Sequence, residues 1–248
     1  PFEQNGIEEK IGEVTIQNNK LCFDMASYRP KTFAVRLKKG NVKAAPIKNI
    51  PLQLPFNSKA FTPENFGYTV SFDKKGNSFA AELIGDKVTC DNITFSIADH
   101  ENKNVIKCKG DTIQLPKEAA GKKLYILAAS TDKDRKSTFL VNGKSHEFEI
   151  PYYSGFYGQW GHKGVSDGYI RNASLAYIGS HRHTEKGNDT YIYTYMYKLG
   201  IELPQEAHTL VLPKDENIAV FAITLSDNYI DDISTANEMR TLPLEVSK

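Results

Sequence analysis

Cysteine is scarce in this chain. Cys22, Cys90 and Cys108 are the only three in 248 residues, too few for a disulfide framework to carry a fold of this length. Cys90 and Cys108 can pair if their strands are neighbours, but buried free thiols are the commoner use of the residue, so the cysteines leave the compartment open. Long apolar runs are missing too. No stretch approaches the roughly 20 residues that a helix needs to cross a bilayer, and no basic-then-apolar leader opens the chain, so no membrane span is expected. Nor is there an excess of charge of either sign. Lys and Arg number 31 against 30 Asp and Glu, a net charge of +1, and the signs are interspersed; without a basic stripe, nucleic acid is not an expected partner. A Gly-rich phosphate cradle and a paired Cys-x-x-Cys are absent, and with them the chemistry those patterns support. Helical periodicity is weak everywhere, ISTANEMR near the C-terminus being the one short candidate.

What the chain does have is β-strand pattern. Val14 and Ile16, then Leu21, Phe23 and Met25, then Phe33, Val35 and Leu37 alternate with polar residues, and Asn18-Asn19 supplies a turn. Residues 1–40 are therefore read as a short β-meander, the end of a preceding β-domain in a longer protein from which this chain is a piece. Gly40, Pro46, Pro51 and Pro55 then fall in a stretch with no sustained period, and residues 41–50 are read as a linker. Alternation resumes over 51–228: Tyr68, Val70 and Phe72, then Phe79, Ala81 and Leu83, then Ile93, Phe95 and Ile97, followed by KKLYILAAS, STFLV, HEFEIP, ASLAYIG, TYIYTYMYKL, HTLVLP and IAVFAITLS. Many short strands punctuated by Gly, Asn, Asp and Pro imply an all-β fold, an antiparallel jelly-roll-like β-sandwich, with residues 229–248 as a tail.

Three stretches are candidates for function. In IGSHRHT, His181 and His183 stand one residue apart, and a strand puts residues i and i+2 on one face, so both rings can point at one ion. A metal needs a third and usually a fourth ligand. The nearest are His162, Glu185 and Asp189, none at a spacing that forces convergence, so no metal site and no cofactor is assigned to this chain. His181, Arg182 and His183 are instead read as a polar cluster at a strand end, facing a cleft or an interface, with Arg182 offering a planar fork of donors to carboxylates or sugar hydroxyls. The plainer reading pairs it with Asp189 or Glu185 on the surface. The second stretch, YYSGFYGQWGH, sets Tyr157 and Trp160 among glycines, a platform suited to the apolar faces of sugars or to a domain interface; rings at this density also commonly plug a core. The third is the tyrosine run 191, 193, 195 and 197, whose period of two places all four on one strand face, with Tyr193 and Tyr195 at its centre as interface candidates.

Four groups of motifs resemble the C-terminal region of bacterial family 38 glycoside hydrolases, the class II α-mannosidases. They are NGIEEKIGEVTI with YRPKTFAVRL, NITFSIADHENKNVIKCKGDTIQLP with KKLYILAAS, IGSHRHT, and YMYKLGIELPQEAHTLVLPKDENIAVFAITL, which together span most of the chain. The resemblance implies β-domains that pack on an N-terminal catalytic domain, in which a zinc ion and a carboxylate nucleophile carry out retaining hydrolysis. No stretch here reads as that domain, so no catalytic residue is carried over, and zinc is expected only in the missing catalytic domain. The expected partners are that domain and, through it, mannosides, with a periplasmic or extracellular setting for the parent. An autonomous carbohydrate-binding module is the alternative.

Overall fold

The computed structural model describes residues 1–17, 20–26, 28–36, 47–64, 70–155 and 173–228. The chain divides into two compact units, Pro1–Pro46 and Ile47–Lys248. In the first, β1 (Phe2–Gln4) lies between β2 (Lys10–Glu13) and β5 (Thr32–Ala34), while β3 (Thr15–Gln17) and β4 (Lys20–Cys22) form a hairpin of their own. None of its described residues is buried.

The second unit begins with β6 (Asn49–Pro51), β7 (Phe61–Thr62), β8 (Ser78–Ala80), β9 (Lys87–Cys90), β10 (Ile93–Ser96), β11 (Ile106–Lys107) and β12 (Thr112–Gln114). It continues with β13 (Lys123–Ser130), β14 (Arg135–Val141), β15 (Lys144–Ile150), β16 (Ser154–Gly155), β17 (Ser174–Thr184), β18 (Gly187–Glu202), β19 (Thr209–Val211) and β20 (Ile218–Ser226). A nine-stranded sheet runs β11-β20-β13-β18-β17-β8-β7, with β6 also paired to β20 and β16 to β18. A four-stranded sheet, β12-β19-β14-β15, and the β9–β10 hairpin complete it. Pairing is antiparallel except at the short β7–β8 edge.

Sequence explains the layering. KLYILAAS in β13 has no polar alternation because both of its faces are covered, as a near-continuous apolar strand requires. Leu124, Ile126 and Ala128 enter one core with Phe139, Val141 and Leu210 of the four-stranded sheet. Tyr125, Leu127 and Ala129 enter a second core on the opposite face, with Val88 and Phe95 of the β9–β10 hairpin and with Phe61, Phe72 and Phe79. Strand β20 shows how the phase is kept. Leu127 pairs with Ala222 but Ala128 with Val220, so Phe221 is an extra residue, and the bulge switches which of the following residues face each core. Phe79 is the hub of the second core, its ring 5.2 to 5.7 Å from those of Phe61, Phe72, Tyr153 and Phe221; aromatic contacts of this kind add to the area they bury.

The all-β sandwich is thus present, built around two cores. The alternation Phe79, Ala81, Leu83 is not one strand: β8 ends at Ala80, and Ala81–Leu83 form a 3-10 turn. Ala, Glu and Leu are good helix formers, and the Ile84 amide donates to the Ala81 oxygen to close the turn, so local preference overrides the apparent period. No disulfide links the three cysteines: Cys108 is buried, Cys90 half-buried and Cys22 exposed. Among the described residues no helix is long and apolar enough to cross a membrane. The ISTANEMR segment lies outside the described residues.

Candidate functional site

The site forms where β17 is clamped between two neighbours. On one side β18 returns through the Glu185-Lys186 turn, and on the other β8 pairs Ser78 with His183 and Phe79 with Arg182. Just past β8, the 3-10 turn carries Glu82 back toward β17. His181 and His183 share a face, as their spacing of two predicts, with ring centroids 5.5 Å apart. Glu82 Oε1 stands 3.2 Å from His181 Nε2 and 2.9 Å from His183 Nε2. All three ligand atoms lie within 4.8 Å of one another. His183 is almost fully enclosed at 4 % exposure, whereas the side chains of His181 and Glu82 retain 15 and 29 %. Ser180 Oγ lies 3.2 Å from His181 Nδ1, a partner for the nitrogen that faces away from Glu82.

The neighbourhood is polar on one side and packed on the other. Tyr177, two residues before Gly179 and four before His181, has its phenol held well above the usual range by burial and by the Glu82 charge. Glu82 also lines a groove of about 710 Å³ with Glu64, Asp86, Asp99, His100 and Glu101. Among the described residues no aromatic ring besides the His100 imidazole lines that groove.

Arg182 does not join this cluster. Strand alternation turns it to the opposite face, where Nε and Nη2 reach Asp189 Oδ2 at 2.8 and 2.7 Å. Asp189 is its cross-strand partner, so the plainer pairing expected from the sequence is the one present. The three-residue cluster is therefore two sites on two faces. Beyond Arg182 the buried Asp73 accepts from the Tyr153 hydroxyl at 2.9 Å, from Asn77 Nδ2 at 2.7 Å and from two backbone amides, a closed network with no acceptor capacity wasted. Burial, then the Asp73 charge, push the Tyr153 phenol far up.

The tyrosine face is corrected in part. Tyr195 and Tyr197 are 1 and 0 % exposed, and their hydroxyls donate to the backbone oxygens of Gly155 and Tyr152. They are core residues with satisfied polar ends, not cleft walls; a strand apolar on both faces was covered on both. Tyr193 stays at the surface, 36 % exposed, stacked on Tyr195 at 6.5 Å. Of the YYSGFYGQWGH stretch, Tyr153 is buried against Phe72 and Phe79. Tyr157, Trp160 and His162 lie outside the described residues.

Glu82 is the residue that the sequence alone did not single out. Nothing in FAAELIGD marks it except the helix-forming triplet after an alternating run, a signal for a turn and not for a ligand.

No curated protein matches the chain. A family model, the AziU2-like beta-sandwich domain, matches residues 48–229, which hold both cores, the Glu82–His181–His183 cluster and the Arg182–Asp189 pair. The match covers well over half of the sequence, and the chain belongs to the AziU2-like beta-sandwich domain family.

Proposed function

We propose that the chain is a non-catalytic β-sandwich region of an α-mannosidase-like glycoside hydrolase, which packs on the catalytic portion of its parent and shapes that portion's cleft. One observation carries the packing role. The first unit has no buried residue among those described, yet Ile7, Ile11, Ile16, Phe23, Met25 and Val35 are each 46 to 74 % exposed. A unit of this size cannot hold its strands together without burying such side chains, so another surface is needed to cover them. The enzyme class rests on the sequence resemblance. Its two most specific stretches, IGSHRHT and YMYKLGIELPQEAHTLVLPKDENIAVFAITL, fold into β17 to β20 of one sandwich, as one inherited unit would. In this reading zinc and the nucleophile belong to the catalytic portion, and mannosides meet this chain only at the cleft edge.

A free-standing carbohydrate-binding module is the second reading, favoured by the groove beside Glu82 and disfavoured by the lack, among described residues, of a stacking ring there other than an imidazole. The test is an aryl α-mannoside assay together with mannose titration by calorimetry. The purified chain is expected to release no phenol and to take up no mannose, and to raise the melting temperature of the parent's catalytic domain when the two are mixed. Turnover that survives a contaminant control, or no effect on the catalytic domain, defeats the proposal; saturable mannose binding favours the module.

A further inference from the structure

Two imidazole nitrogens and a carboxylate oxygen converging from separate elements are an uncommon arrangement. Within one hairpin, His181 and His183 would be neighbours in any case. The third group comes from a 3-10 turn 99 and 101 residues earlier in the chain, and it places one oxygen, Glu82 Oε1, against both Nε2 atoms. We infer that Glu82, His181 and His183 form a binding site for one divalent transition-metal cation, with zinc the best match in donor chemistry. The inference does not rest on the mannosidase reading.

Donor type, spacing and access each support it. Imidazole nitrogen with carboxylate oxygen suits zinc and its late first-row neighbours, and three protein ligands is the number found where zinc keeps one position open. Ligands held 2.0 to 2.2 Å from a tetrahedral ion lie about 3.3 Å from each other. The observed N–O separations, 3.2 and 2.9 Å, are already near that edge length, so an ion can enter with side-chain adjustments of a few tenths of an ångström on those two edges. The scaffold is rigid where rigidity matters: His183 is buried and its strand is paired on both sides. Ser180 Oγ, at 3.2 Å from His181 Nδ1, is within reach to accept from an Nδ1–H once Nε2 ligates the ion. Access is provided by Glu82, which lines the groove shared with Glu64, Asp86, Asp99 and Glu101. Carboxylates around a groove raise the local cation concentration, and the open coordination position can take water or an oxygen donor from a bound molecule.

The experiment uses the whole chain, stripped with chelator and dialysed, then titrated with zinc chloride by calorimetry and with cobalt(II) by visible absorption. One equivalent of zinc is expected to bind, the cobalt form is expected to show the intense absorption of a four-coordinate ion, and the melting temperature is expected to rise with zinc. Glu82→Gln, which preserves shape, and His181→Ala, at a partly exposed position, are each expected to weaken zinc binding by at least about tenfold. Should His181→Ala fail to fold, Glu82→Gln decides. Less than one equivalent at saturation, binding that Glu82→Gln leaves unchanged, or zinc taken up with no cobalt signal of low coordination overturns the assignment.

Discussion

Lys198 Nζ and Asp91 Oδ2 are 2.5 Å apart across 107 residues of sequence, with side-chain exposures of 3 and 10 %. Asp91 and Asn92 form the turn of the β9–β10 hairpin, both at positive φ, +51° and +63°, the pair of conformations a tight two-residue hairpin needs and that Asp and Asn tolerate best. Lys198 rises from the middle of β18, and the Asn228 side chain donates to the Asp91 backbone oxygen at 3.0 Å. One buried ion pair therefore pins the hairpin over the second core.

Breaking that pair from one side is expected to cost more than removing both charges. Asp91→Asn keeps the turn but leaves the Lys198 ammonium without its carboxylate, at a cost of about 3 to 5 kcal/mol. Lys198→Met should cost less, and the double variant should be clearly more stable than the sum of the singles. Urea unfolding of the four proteins measures this; strict additivity would show that the two charges are not coupled.

Lys107 is expected to make stability depend on alkaline pH. Its Nζ lies 4.0 Å from the Phe72 ring centroid and donates to the Phe72 backbone oxygen. Burial first, and then the neighbouring Lys74, push its pKa down to about 8. The folded value lies below the ordinary 10.5, so folding disfavours the protonated form. The cost is fully present below pH 8 and fades as pH rises toward 10.5, where the unfolded chain also loses the proton. Relative to Lys107→Met, the wild type should gain about 3 kcal/mol between pH 7 and pH 10.5. A difference that stays flat over that range would contradict the shift.

Gly179 owes its place to space. A Cβ there would stand 2.9 Å from Tyr177 Oη and closer still to Thr194 Oγ1, and Thr194 is fully buried. Gly179→Ala is expected to destabilise the chain by about 1 to 3 kcal/mol through overpacking. Adding Thr194→Ala should recover part of the loss, because the nearest obstructing atom is gone. If the second substitution only adds to the damage, crowding at Thr194 is not the cause.

Arg182→Ala separates the two faces of β17. Its contact with Asp189 is partly exposed, so the loss of stability should stay within about 1 kcal/mol. The zinc titration should be unaffected, since Arg182 projects away from Glu82. A large drop in zinc affinity would place Arg182 in the same electrostatic unit as the histidines.

How much of this was legible beforehand depends on the range of the interaction involved. Alternation in HEFEIP and the apolar runs KLYILAAS and IAVFAITLS are local signals, and they read correctly as strands; that KLYILAAS and IAVFAITLS are covered on both faces is a finding of the structure. That His181 and His183 share a face follows from strand geometry alone. Arg182 with Asp189 was within reach for the same reason, as cross-strand neighbours joined by a short turn. The tyrosine run was legible as a strand with two apolar faces; that Tyr195 and Tyr197 lie under a backbone segment that takes both hydroxyls was not.

Periods of two, turn residues and the absence of helical spacing are properties of adjacent residues, and they were enough to specify an all-β sandwich and the side of the strand on which each histidine stands. The identity of the third group beside those histidines was decided elsewhere. Glu82 comes from a segment whose alternation looked like continuing strand, and it reaches His181 and His183 only because β8 pairs with β17 and the chain then turns at Ala81. Such a contact depends on which strands become neighbours, and that is settled by burying two whole cores at once, not by any spacing along the chain.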